Sequence, residues 1–180
     1  MNFRFREKVN KDVKKYNRIA NNNNCITLVK HSIAKFAYNF KQHYIMKRNA
    51  TAVWKGSIKE GNGTISTQST VLNNAQYSFK TRFEDGVGTN PEELVAAAHS
   101  GCFSMQLSAF VTEGGFEIES IQTRCDINFV EGTIVGSHLT VEAKIAGIAN
   151  DAFQELVTKA EKNCPISRLL NTEIDRKSVV

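Results

Sequence analysis

Between Asn90 and Gly115 the chain carries a long segment that is apolar or small on nearly every side, with helix punctuation at both ends. Asn90 is a strong N-cap, Pro91 suits the first helical position, and Glu93 stands where a capping-box acid belongs. Gly114-Gly115 is a stop signal. Between them, Leu94 to Val111 runs through Ala96–Ala98, Gly101, Phe103, Met105, Leu107 and Phe110 without a polar face. Such a helix needs cover all round, which predicts a core helix with other elements wrapped about it. It falls short of the roughly 20 consecutive apolar residues of a membrane span, so no crossing is expected.

The flanking sequence supplies that cover as an α+β domain. Ala50–Lys55 and Thr64–Ser69 read as strands around the turn Glu60-Gly61-Asn62-Gly63. Gln76–Phe83 alternates Tyr77, Phe79, Thr81 and Phe83 on one face, the strand period. Glu119–Val130 and Ser137–Ile145 alternate likewise, and Asp151–Asn163 is an amphipathic helix with Phe153, Leu156, Val157 and Ala160 inward. Cys164-Pro165 breaks that helix and opens a short turn to Leu170, after which Glu173–Val180 closes as a strand.

Charge divides the chain in two. Residues 1–45 hold ten Lys/Arg against Glu7 and Asp12, a net +8, while residues 46–180 carry −3. The expected organisation is therefore a basic extension over 1–45, either disordered or upstream sequence joined by an early start codon, and a folded domain over 46–180. The extension has no apolar h-region of the kind a secretory signal requires. A mildly acidic domain argues against nucleic-acid binding by the domain itself, leaving anionic partners to the extension alone.

The four cysteines separate by context. Cys25 lies in the extension, and Cys125 falls among Ile121, Thr123, Ile127 and Phe129 on a strand face, where a thiol behaves as a small hydrophobe. Cys102 sits mid-helix beside Ser100, Gly101 and Ser104, which leave room for a ligand or a second element. Cys164 takes the N-cap of the turn begun by Pro165, where free N–H groups favour a thiolate. His99 and His138 stand alone in sequence, no paired metal-ligand spacing occurs, and no G-x-S-x-G elbow is present. Zinc and serine-hydrolase chemistry are thereby disfavoured.

Taken together, Thr81-Arg82-Phe83-Glu84, Gly88-Thr89-Asn90-Pro91-Glu92-Glu93-Leu94-Val95-Ala96-Ala97-Ala98-His99-Ser100-Gly101-Cys102-Phe103-Ser104-Met105 and Asn163-Cys164-Pro165-Ile166-Ser167 closely resemble the OsmC/Ohr family, the osmotically inducible and organic hydroperoxide resistance proteins. Pro-Glu-Glu-Leu and Cys-Phe-Ser-Met favour the OsmC branch. The resemblance spans about Met46 to Val180 and says nothing of residues 1–45.

It implies antiparallel and mixed sheets around two central helices in an intertwined homodimer. It also implies a thiol peroxidase that works without metal, flavin or haem on organic hydroperoxides and, more weakly, hydrogen peroxide; redox-active thiols without an export signal fit a reducing cytoplasm. By similarity Cys102 is the peroxidatic thiol, Cys164 resolves it as a disulfide, Arg82 activates the sulfur and Glu92 anchors Arg82. A lipoylated protein or other dithiol would then reopen the bond. Without the resemblance, Arg82 beside Glu84 and Asp85 reads as a surface ion pair, and Glu92 as a first-turn acid.

Spacing adds one inference. Glu92 and Cys102, ten residues apart on one helix, are separated by about 15 Å. An arginine serving both is more readily shared between two chains than held within one. The alternative from another class is a non-catalytic module that keeps the fold and binds an apolar ligand. That role requires neither Cys102 nor Cys164.

Overall fold

The computed structural model describes residues 46–180. The basic extension over 1–45, with Cys25, lies outside the described residues. From Ala50 onward the chain forms two three-stranded sheets and four helices.

The first sheet joins β1 (Ala50–Lys55), β2 (Asn62–Thr67) and β3 (Ala75–Ser78) in antiparallel order. β2 starts two residues before its expected position, because Gly63 works as a strand residue rather than part of the turn. It lies between Trp54 and Tyr77, whose rings stand 5.3 Å apart. A Cβ on Gly63 would fall 2.4 Å from the Tyr77 ring and 2.5 Å from the Val53 carbonyl oxygen, so nothing larger fits.

The expected strand over Gln76–Phe83 is corrected. β3 stops at Ser78 and a single helical turn, α1 (Phe79–Phe83), follows. Local hydrogen bonding overrides the alternating pattern. Ser78 Oγ accepts the Thr81 N–H at 3.2 Å, and Thr81 Oγ1 accepts the Ser78 N–H at 2.8 Å. Phe79 and Phe83, one turn apart, stack at 4.7 Å. Arg82 therefore projects from a helical turn and not from a strand.

The long helix α2 (Pro91–Glu113) begins and ends as expected. Asn90 Oδ1 accepts the Glu93 N–H at 2.8 Å, and Asn90 Nδ2 donates to the Thr81 carbonyl at 3.0 Å, tying the start of α2 to α1. The reciprocal half of the capping box differs, since the Glu93 carboxylate accepts from Thr89 Oγ1 instead. Gly115 then reverses the chain at a φ of +84°.

Cover for α2 is narrower than its composition implies. Only His99, Phe103, Leu107 and Val111 are buried, a single stripe four residues apart, and mid-helix Met105 is 75% exposed. Contrary to the sequence reading, α2 is by length and composition apolar enough to cross a membrane. Its buried stripe nevertheless begins with a hydrogen-bonded imidazole and packs on other elements of the same domain, as a core helix does.

β4 (Ile118–Val130) and β5 (Thr133–Ile145) form a long hairpin about Glu131-Gly132, both at positive φ. Helices α3 (Asn150–Asn163) and α4 (Pro165–Leu169) cross over to β6 (Glu173–Val179), which pairs parallel to β5. Central strand β5 buries Ser137, Leu139, Val141, Ala143 and Ile145. The core joins that face with the α2 stripe, with Phe153, Val157 and Ala160 of α3, and with Cys164.

Asn90→Ala removes the cap and the α1 tie together. It is expected to cost about 1–2 kcal/mol in urea denaturation. A loss below about 0.5 kcal/mol would show that the α1–α2 junction is held by other contacts.

Candidate active site

Helix α2 presents Cys102 one turn beyond His99, and the break between α3 and α4 places Cys164 opposite it. The two Sγ atoms are 3.0 Å apart, both thiols are free, and the Cys164 thiol donates to Cys102 Sγ. A disulfide needs about 2.05 Å, so closing the pair takes roughly 1 Å of movement. Cys164 is fully buried, whereas Cys102 is half-buried and hence the thiol a substrate can reach.

Among the described residues, no cation figures in the electrostatics of the Cys102 thiol. Burial pushes its thiol above the usual range and the Cys164 contacts push the same way, opposed by the nearby Ile166 backbone. None of these groups is a cation. Cys164 caps α4 by position only, for its side chain makes no capping hydrogen bond.

Arg82 and Glu92 form the second pair. Arg82 Nη2 donates to Glu92 Oε1 at 2.6 Å, and Nε lies 3.2 Å from both carboxylate oxygens. The guanidinium also lies over the rings of Phe83, at 5.2 Å, and Phe129, at 4.8 Å, leaving it little freedom. Burial pushes the Glu92 carboxyl upward, but Arg82 and a backbone hydrogen bond outweigh it and hold the group below the ordinary range. Beside the pair opens a cavity of about 240 Å³, lined mainly by Trp54, Ile58, Tyr77, Phe79 and Phe83. Among the described residues the contacts of Arg82 and Glu92 and those of Cys102 and Cys164 have no residue in common.

The sequence reading passed over His99. This fully buried side chain bonds Ser137 Oγ through Nδ1 and Ser167 Oγ through Nε2, each at 2.8 Å. Burial lowers its pKa, opposed by the charge of Glu161, so a neutral ring is favoured. Cys125 adjoins this chain with Sγ 3.2 Å from Ser137 Oγ, and burial pushes its thiol up. It is thus a half-buried thiol with a hydrogen-bonding partner rather than a purely apolar filler. The available signal was position: His99 occupies a core-stripe site three residues before Cys102. His138 pairs with Asp175 at 2.7 Å on the exposed side of the second sheet. Among the described residues no three His, Cys, Asp or Glu side chains group as a metal site.

Residues 83–178 match a family model described as OsmC-like protein. The peroxiredoxin OsmC of Escherichia coli K12 is 43% identical over 131 residues, covering 71% of this chain and 92% of that protein. The organic hydroperoxide resistance protein OhrB of Bacillus subtilis is 34% identical over 98 residues, covering 52% of this chain and 71% of its own length. The crystal structure of that OhrB superposes with a TM-score of 0.55 at 26% identity, over 73% of this chain and 98% of the other. An OsmC-like protein from Vibrio cholerae shares the fold, with a TM-score of 0.59 at 15% identity over 75% and 100%.

The depressed Glu92 carboxyl has a signed consequence for stability. Its contribution is complete above the ordinary glutamate range and is lost as pH falls through the lowered value. Glu92→Gln is expected to be less stable than wild type at neutral pH, by no more than about 1 kcal/mol because Arg82 faces solvent in part. The two proteins should converge in acid. Parallel urea midpoints from neutral to acid pH would refute a stabilising role for the pair.

Proposed function

This chain belongs to the OsmC-like family, and from that premise we propose that it is a cysteine-based peroxidase acting in oxidative and osmotic stress defence. Its preferred substrates are organic hydroperoxides, with hydrogen peroxide reduced more weakly. The observation that carries the reading is the 3.0 Å approach of an accessible Cys102 to a buried Cys164.

In the proposed cycle the Cys102 thiolate attacks the terminal peroxide oxygen. The O–O bond breaks, the alcohol departs with a proton, and Cys102 becomes a sulfenic acid. Cys164 then attacks that sulfur to give a disulfide and water, ahead of a second oxidation. A dithiol reductant of a reducing compartment such as the cytoplasm, for which a lipoylated protein is our candidate, restores both thiols by exchange.

The cycle needs a cation at Cys102, and Arg82 is our candidate, held in shape by Glu92. We assign the site to a symmetric, intertwined homodimer in which Arg82 of one protomer meets Cys102 of its partner. Three features support that assignment: the apolar flank of α2 that its own chain leaves open, the exposure of β1 along nearly its whole length, and the separate contacts of the two pairs. The apolar cavity beside Arg82 would then receive the organic part of the hydroperoxide.

Two experiments test the proposal. In a denaturing thiol count, one equivalent of cumene hydroperoxide should remove two thiols from the reduced wild type, restored by dithiol, and neither Cys102→Ser nor Cys164→Ser should form the internal disulfide. A folded, reduced wild type that loses no thiol quickly would refute the peroxidase and bring the ligand-binding alternative forward. For the shared site, unfolding and refolding Arg82→Ala with Cys102→Ser in equal amounts should restore roughly a quarter of wild-type activity through mixed dimers. A mixed sample that sediments as dimer yet stays inactive would place both groups of the site in one chain.

A further inference from the structure

We propose that His99 is a positioning residue for the resolving half of the cycle: through Ser167 it holds α4 where Cys164 can close on oxidised Cys102. The inference rests on the peroxidase reading. It starts from a site that core packing alone does not explain. His99 heads the buried stripe continued by Phe103, Leu107 and Val111, where an aliphatic side chain would pack without needing partners. An imidazole there requires both nitrogens to be satisfied, and Ser137 and Ser167 satisfy them at 2.8 Å each.

Those two serines sit on different elements, and the difference supplies the argument. Ser137 lies on the central strand β5. Ser167 lies on α4, three residues after Cys164 and one after Ile166, whose backbone adjoins Cys102. Among the described residues, then, the polar contacts from α2 to α4 and its cap are of two kinds. One kind passes through Cys102 Sγ, and the other is His99 to Ser167.

Oxidation disturbs the first kind only. Once Cys102 carries a hydroxyl on sulfur, the Cys164 thiol faces a changed acceptor. The His99–Ser167 bond is left to keep α4 in register. Resolution then follows as Cys102–SOH + Cys164–SH → Cys102–S–S–Cys164 + H₂O, the sulfenic hydroxyl leaving with the Cys164 proton while the sulfurs close from 3.0 Å to about 2.05 Å. An α4 that drifts by even a fraction of that movement leaves the sulfenic acid open to a second peroxide.

In a Cys125→Ala background, which removes the second neighbour of Nδ1 at 3.8 Å, Ser137→Ala and Ser167→Ala make a matched pair, since each leaves one nitrogen of the same buried imidazole without its partner. The full chain is exposed to graded cumene hydroperoxide, and the ratio of Cys102 sulfinic acid to Cys102–Cys164 disulfide is read by mass spectrometry. Ser167→Ala is expected to reach a given ratio at roughly tenfold lower peroxide than the Cys125→Ala parent, with Ser137→Ala within about twofold of that parent. Equal ratios in the two variants would overturn the proposal, because a purely structural histidine loses as much from either deletion. If Ser167→Ala does not fold, Ser167→Thr decides: the hydroxyl is retained, so a wild-type ratio supports the proposal and a raised one overturns it. A wild type that forms no disulfide fails the peroxidase reading itself, a result distinct from any difference between the serine variants.

Discussion

Everything at the candidate site depends on how the stripe His99, Phe103, Leu107, Val111 seats α2 against β5 and α3. Burial of that stripe fixes the rotation of the helix about its own axis. Cys102, adjacent to Phe103, is thereby turned to the edge of the core, half in contact with Cys164 and half open. A rotation of one residue, about 100°, would carry the thiol to a different side of the helix. The apolar packing that stabilises the domain is thus also what aims the sulfur.

The arginine side of the site obeys a separate constraint. Ser78 and Thr81 cap each other to force a helical turn, Asn90 ties that turn to the start of α2, and Arg82 and Glu92 then face across the junction. Two aromatic rings steady the guanidinium against alternative rotamers. Each pair is locally complete, yet the guanidinium lies with one and the accessible thiol with the other. Among the described residues the guanidinium pair and the thiol pair therefore stand apart within the domain.

Much of this was legible in the residue order. Asn90-Pro91 and Gly114-Gly115 mark α2 because capping is local chemistry, and the hairpin β4–β5 follows from period-2 alternation. The turn at Phe79–Phe83 was misread because an alternating row of Tyr77, Phe79, Thr81 and Phe83 fits a strand as well as a helix with an i, i+4 aromatic pair. A serine–threonine capping box leaves almost no compositional trace. His99 escaped for a different reason: its partners Ser137 and Ser167 are 38 and 68 residues away, and tertiary hydrogen bonds of that range have no sequence period. The full burial expected for α2 reflected composition, which reports how much apolar surface must be covered but not which chain covers it.

In the proposed cycle, the unequal exposure of the two sulfurs would also set the direction of the return half-reaction. With Cys164 enclosed and Cys102 at the surface, an incoming thiolate has a line of approach to one end of the S–S bond only. Exchange in that cycle would be regiospecific: the reductant would become joined to Cys102, with Cys164 the leaving group, expelled inward toward the core. The transient cross-link between the protein and its reductant would form always at the same sulfur, whatever the identity of the dithiol.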